Sequence, residues 1–291
     1  DTILHNKRIS LKEIEKKWEQ SAYYDGKKLS RSTFNRWKES AEEIFDINIE
    51  CEEKGEYCYY IEGNEKINKA NDLRVWLLDN YHISNILNSS MEIRDKIITE
   101  NIPSARNFLL EITNAIKTNS AVEFMYKKFG AEDSQEDKIC GLPLCLKQYK
   151  QRWYVLAASE YPDGRLLIYS LDRFTEVVRT EEKYEIPEDF DVEEYFRSSY
   201  GVSSLGKEAE FIRLRVDAWQ ANYFRSLPLH HSQQEVEQSD EYSIFEYFLA
   251  PTHEFVREIL SNGPAVEVLH PQSLREEIMD KVENMRNSYK K

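Results

Sequence analysis

From residue 121 to residue 186 the chain runs in short alternating segments rich in β-branched and aromatic side chains: AVEFMYKKF, KICGLPLCLKQY, RWYVLAAS, RLLIYSLDRF and TEVVRTEEKYEI. Successive strand residues point to opposite faces, so such segments at short spacing, with a turn signal at Pro162-Asp163-Gly164, predict a small barrel of about five strands. Five strands cannot use all of 291 residues, and the rest of the chain changes period on both sides of them.

On the N-terminal side, Leu11, Ile14 and Trp18 recur at helical steps behind Ser10, with Glu13 three residues on, which predicts a capped helix from Ser10 to about Gln20. A turn at Asp25-Gly26 precedes a second helix opening at Leu29-Ser30-Arg31-Ser32-Thr33, with Phe34, Trp37, Ala41, Ile44 and Phe45 facing inward. INIECEEKGEYCYYIEG then reads as a hairpin. Helix, turn, helix and hairpin is the order of a winged helix-turn-helix, here over residues 1–66. The chain starts at Asp1 in what reads as the tail of a helix, so an N-terminally incomplete domain is expected. Residues 67–117 read as connector helices broken near Asn101-Ile102-Pro103-Ser104, since proline is tolerated at a helix start but not inside. The barrel takes residues 118–186, and an acidic, aromatic linker of short helices takes 187–207. Residues 208–291 then read as FIRLRV (strand), AWQANYFRSL (helix), HHSQQEVEQ and YSIFEYFL (strands), THEFVREILSN (helix), AVEVL (strand) and a last helix from about Pro271. That is βαββαβ, a ferredoxin-like C-terminal extension with one added helix. The fold class expected is α+β multidomain.

The formal charge of −14 opposes phosphate at long range, so any nucleic-acid contact must come from a concentrated basic patch. Residues 27–38 supply one: Lys27, Lys28, Arg31, Arg36 and Lys38 with no acid between. With Ser30, Ser32, Thr33 and Asn35 at the start of the second helix, the window has the residue types that meet base edges and phosphate in a recognition helix, Arg31 and Asn35 foremost. Lys54 and Tyr57 at the hairpin tip suit a wing on the flanking backbone. The plain alternative is a solvated helix face.

Other chemistries find little footing. Cys51, Cys58, Cys140 and Cys145 form no CxxC pair, and His253 begins a zincin-like run that has Arg257 where the second ligand belongs, so no metal or cofactor is expected. GxSxG, GxxxxGK[ST] and GxGxxG are absent from the sequence. An enzyme is not expected, although one acting on nucleotides with Asp172, His231 or His253 as acid or base stays open. No apolar run approaches bilayer length and the start has no signal-peptide core, so a cytoplasmic location is expected.

Arg152-Trp153-Tyr154-Val155-Leu156-Ala157, preceded by Leu142-Pro143-Leu144 and followed by Tyr169-Ser170-Leu171-Asp172-Arg173-Phe174, resembles the WYL domain of bacterial transcription regulators, and LPLHHSQ near residue 230 is most similar to the Bacteroidetes branch. The resemblance implies the whole layout above, with the barrel Sm-like (SH3-like). It implies a homodimeric, effector-responsive regulator of an operator in double-stranded DNA, whose WYL barrel senses a nucleic-acid or nucleotide-type ligand, in known cases single-stranded DNA. Two departures stand out. Val155 replaces the name-giving leucine, and the family's first arginine falls on Leu167, with Arg165 two residues earlier on the same strand face. The effector residues it implies are Arg152, Trp153, Tyr154, Arg165, Asp172 and Arg173, where arginine grips phosphate and an aromatic ring stacks. Trp153 and Tyr154 cannot both face one ligand surface, so one of them belongs to the core. An Asp172–Arg173 surface ion pair is the plain alternative for that arginine. Arg225, His230, His231 and Ser232 at a helix-to-strand junction can close the groove from the extension. A non-transcriptional scaffold holding RNA or a partner's strand is the competing function.

Overall fold

The structure, a computed structural model, describes residues 2–21, 24–52, 54–62, 73–89, 91–100, 105–129, 136–159, 165–184, 190–203 and 207–290. The chain divides into two compact units, Asp1–Glu100 and Asn101–Lys291. Its make-up is mixed α and β with antiparallel sheets, an α+β protein.

In the first unit, α1 (Thr2–Asn6) leads to Ile9, which bridges Tyr59 through two backbone hydrogen bonds of 3.1 and 2.8 Å. Helix α2 (Leu11–Glu19) carries the expected capping box of Ser10 and Glu13. Helix α3 (Arg31–Phe45) starts at Ser30, whose hydroxyl accepts the Thr33 N–H at 3.1 Å. Strands β1 (Ile49–Cys51) and β2 (Tyr59–Ile61) form the hairpin in antiparallel register Cys51↔Tyr59. Leu29, Phe34, Ile49, Tyr59 and Ile61 make the core. Two inward assignments on α3 are corrected. Ile44 is 69% exposed, and Trp37, although its ring lies 4.9 Å from Trp18, is 40% exposed. From α3 the core takes Phe34, with Ala41 packed against it, and so small a unit leaves no room for every apolar residue of the helix. Helix α4 (Leu73–Ser89) follows. Residues 67–72 and the Asn101–Ser104 break lie outside the described residues.

In the second unit, α5 (Arg106–Lys117) packs Ile112 and Ala115 against a five-stranded sheet of β3 (Ser120–Lys127), β4 (Glu136–Tyr149), β5 (Arg152–Ser159), β6 (Leu166–Ser170) and β7 (Phe174–Lys183). Its order is β6-β5-β4-β3-β7, all paired antiparallel. The RLLIYSLDRF segment is not one strand: Leu171–Arg173 form a 3-10 turn, because buried Leu171 ends β6 and redirects the chain into Phe174. Pro162-Asp163-Gly164 lies outside the described residues.

After the short helix α6 (Val192–Arg197), the extension has β8 (Glu210–Asp217), α7 (Ala218–Ser226), β9 (Gln234–Gln238), β10 (Tyr242–Leu249), α8 (His253–Ser261), β11 (Val266–His270) and α9 (Gln272–Ser288). The sheet order is β11-β8-β10-β9, again antiparallel throughout. His230-His231-Ser232 precede β9 in a turn and do not begin the strand, since the His230 ring bonds the Arg197 carbonyl. The two sheets meet through the β4–β5 turn: Lys150 pairs with Glu258 of α8 at 2.9 Å, and the Tyr149 ring lies 6.2 Å from Tyr200.

Candidate functional site

One end of the five-stranded sheet gathers several polar groups. Arg152, first residue of β5, donates Nη2 to the Asp172 carboxylate in a short contact, and the Ser170 hydroxyl donates to the other Asp172 oxygen. Burial pushes the Asp172 carboxyl up, but the Ser170 hydroxyl and the Arg152 guanidinium more than reverse this and hold it below the ordinary carboxylate range. The Asp172 hydrogen bond raises the Arg152 guanidinium against the opposing effect of burial. Arg152 Nε is buried without a hydrogen-bond partner. The Tyr126 hydroxyl accepts the Ser170 N–H at 3.4 Å, and burial raises this phenol.

Arg173 turns the other way from the turn that carries Asp172. Its Nε donates to the Lys127 carbonyl at 2.7 Å, and its guanidinium carbon stands 4.4 Å from the Tyr126 ring centroid and 3.9 Å from that of Phe129, a ring 80% exposed. A cation near two rings is attracted by both π faces, and the outer ring, Phe129, is the one left exposed for stacking. The expected alternative, a pair between Asp172 and Arg173, is thereby replaced: Asp172 takes Arg152.

Of the two aromatics between them in sequence, Trp153 packs against the sheet core and Tyr154 lies on the opposite face, the one it shares with Arg152. Arg165 is exposed just before β6, and its carbonyl accepts the Ser159 N–H at 3.0 Å. Leu167 pairs with Ala157.

The extension residues are engaged in their own sheet. Arg225 forks onto Glu235 at 2.9 and 2.6 Å and also donates to Asn222 and Ser243. His230 is buried, with Nδ1 2.8 Å from Ser232 Oγ and Nε2 2.9 Å from the Arg197 carbonyl. Burial and the neighbouring His231 and Lys147 push its pKa down to about 4, against the pull of the Arg197 carbonyl. The Ser232 hydroxyl accepts the Phe248 N–H at 3.0 Å, and His231 is exposed, its ring 4.0 Å from that of His230.

Sequence reasoning passed over Tyr126, Phe129 and Ser170, and a half-buried amine beside Phe196. Lys147 on β4 sits 3.9 Å over the Phe196 ring, and burial lowers its pKa to about 8, with Cys145 and Glu254 opposing. The Tyr126–Phe129 edge was marked in sequence only by the basic and aromatic run Tyr126-Lys127-Lys128-Phe129.

In the first unit, Lys28, Arg31, Ser32, Asn35 and Arg36 are exposed. The Ser30, Ser32 and Thr33 hydroxyls are tied together at 2.8–2.9 Å in the helix cap. Lys38 is held by Glu42 at 2.8 Å, and the same carboxylate oxygen accepts the Ile49 N–H, which fastens α3 to the hairpin. Lys54 and Tyr57 are exposed at the hairpin tip.

Residues 107–179 match the WYL domain family and residues 208–286 the WCX domain family. The chain thus carries a WYL domain followed by a WCX domain. Similar solved structures include the proteasome accessory factor B/C (PafBC) of Arthrobacter aurescens, 15% identical, with 95% of this chain and 44% of that one covered at a TM-score of 0.33. A CRISPR Cas-related protein is 13% identical over 94% of this chain and 76% of its own, at a TM-score of 0.41. The chain thus spans less than half the length of the PafBC protein, and likenesses of this size leave fold and function to be argued from the chain itself. No curated protein matches it. No helix among the described residues is long and apolar enough to cross a membrane, and none of their His, Cys, Asp and Glu side chains gather in threes as a metal site would need.

Proposed function

We propose that this chain is an effector-responsive, DNA-binding transcriptional regulator that acts as a homodimer in the cytoplasm, and that its WYL sheet senses a nucleic-acid or nucleotide-type ligand. The observation that carries the reading is the arginine pair at one end of the WYL-matched sheet. Arg152 is held by one carboxylate with its Nε left over, and the Arg173 guanidinium lies against the Tyr126 and Phe129 rings. Phosphate competes with Asp172 for Arg152 as a second acceptor, and a base stacks on the exposed Phe129 ring beside Arg173. Release of Asp172 then favours one arrangement of the protein over another.

The order β6-β5-β4-β3-β7, with its two edges joined by a one-turn link, fits an Sm-like barrel, and β11-β8-β10-β9 with βαββαβ connectivity fits a ferredoxin-like extension. A helix, the Ile9 bridge strand, two helices and a hairpin fit a winged helix-turn-helix. In it, Arg31, Asn35 and Arg36 read duplex DNA with Lys28, while Lys54 and Tyr57 brace the flanking backbone. LPLHHSQ fits the Bacteroidetes-type branch.

The test is fluorescence anisotropy of short single-stranded oligonucleotides and of mononucleotides at two salt concentrations, with the intact chain, Arg152→Ala and Arg173→Ala. The expected result is salt-sensitive binding weakened at least about tenfold in each variant, the loss of one charge-assisted phosphate contact. Binding that ignores both substitutions would sink the site. Duplex DNA binding lost on Arg31→Ala separates the regulator from a scaffold that holds RNA.

A further inference from the structure

Among the described residues, the four-stranded sheet of the extension is covered on one face. Ile212, Leu214 and Val216 of β8 and Phe245, Tyr247 and Leu249 of β10 are buried with Phe224 of α7, Phe255 of α8 and Leu274 of α9. The alternate residues face the other way, and there Phe211 and Phe248, opposite each other on β8 and β10 with ring centroids 5.0 Å apart, are 68% and 48% exposed. Beside them β11 carries a bulge: its register passes from Val268↔Leu214 to His270↔Arg213, and Leu269 in between is left exposed. The result is a concavity of about 510 Å³, walled by Phe211 and Leu269 and lined by Arg213, Glu246 and His270. Apolar walls with a few polar groups at that size are the make-up of a small-molecule site.

The charges select the ligand. Arg213 donates Nε at 2.9 Å, and Nη2 in a shorter contact, to the same Glu246 oxygen, Oε1. Among the described residues no group bonds Arg213 Nη1 or Glu246 Oε2, so one donor and one acceptor stay open on a pair that is neutral as a whole. An anion such as an oligonucleotide meets the Glu246 carboxylate as well as the guanidinium, and the chain's formal charge of −14 repels it further. A ligand with one charge of each sign on neighbouring groups satisfies both open atoms: its carboxylate accepts from Arg213 and its ammonium donates to Glu246. We propose that the open face of the extension sheet binds a free α-amino acid with an aromatic or large aliphatic side chain, gripped by Arg213 and Glu246 and packed on Phe211 and Leu269. A peptide cannot bring both charges to one ion pair, because its termini lie at least a residue apart. The site is on a different sheet from Arg152 and Arg173, so it goes beyond the nucleic-acid reading above and does not depend on it.

The test is a ligand-observed NMR titration of the full chain with L-phenylalanine, L-leucine and L-alanine up to about 5 mM, a range that reads millimolar affinity. It is repeated with N-acetyl-phenylalanine and phenylalaninamide, each of which lacks one of the two charges, and with Arg213→Gln, Glu246→Gln and Phe211→Ala. The expected result is saturable binding of phenylalanine or leucine and none of alanine. Blocking either end of the ligand, or either glutamine substitution, should weaken binding at least about tenfold, the loss of one charge-assisted hydrogen bond. Phe211→Ala should weaken phenylalanine by a similar factor through lost apolar contact. No saturable binding of phenylalanine or leucine to the intact chain overturns the proposal, and so does binding that ignores Arg213→Gln and Glu246→Gln. N-acetyl-phenylalanine held as tightly as phenylalanine overturns the zwitterion, and a short single strand that displaces phenylalanine gives the face to nucleic acid instead. None of these outcomes bears on the arginine pair of the WYL sheet, which Arg152→Ala and Arg173→Ala test separately.

Discussion

His230 shows how a residue that looks like a ligand group serves the fold. Its folded pKa of about 4 lies below the ordinary 6.5, so the unfolded chain binds the extra proton between those values. Its contribution is whole above pH 6.5 and is lost as pH falls toward 4, up to about 3 kcal/mol. Urea unfolding at pH 7 and pH 4.5 should show that loss, and His230→Gln should flatten the slope across this window. Arg152 and Asp172 make a second residue-level case. With the Asp172 side chain 11% exposed and that of Arg152 37%, Arg152→Met leaves a mostly buried carboxylate unpaired at a cost of about 2 kcal/mol after allowance for solvent at the arginine. Arg152→Met/Asp172→Asn should recover much of it, and equal stability of single and double variants in urea would refute the pairing. The motif made Arg152 and Asp172 visible in sequence. It did not show that they grip each other, because twenty residues and a strand register lie between them.

At the scale of elements, glycine gives the sharpest prediction. Gly201 has φ +86°, and a Cβ there would lie 2.8 Å from the Glu254 side chain, so Gly201→Ala should destabilise the second unit by about 2 kcal/mol. Gly26 has φ +81° but faces open space, and Gly26→Ala should cost only about 1 kcal/mol. Thermal unfolding of both variants decides the order. Ser30→Ala should lower the first unit's stability by about 1 kcal/mol by removing the α3 cap. Elements whose signals are local were readable in advance: the α2 capping box, the hairpin, and the strand and helix order of the extension. Ile44 and the Leu171–Arg173 turn were not, since periodicity reports which residues are apolar and not what is left to cover them.

For the whole molecule, a fragment of residues 101–291 should fold alone with one cooperative transition, because its two sheets are fastened by Lys150–Glu258 at 2.9 Å and by the Tyr149 ring against Tyr200. Two separate transitions in calorimetry would show that the sheets unfold independently. That the fragment unites WYL sheet and extension could not be seen from sequence, where an acidic linker separates them; the union depends on contacts more than a hundred residues apart. The two-residue turn that makes this contact has Lys150 at φ +46° and Gln151 at φ +63°, a backbone for which Asn-Gly is the easy choice. A chain optimised for that hairpin alone would have given up the lysine. By keeping a strained turn, this one has the Arg152 end of its Asp172 pair and its hold on the extension at Lys150 on opposite sides of a single bend, so neither can be re-engineered without loading the other.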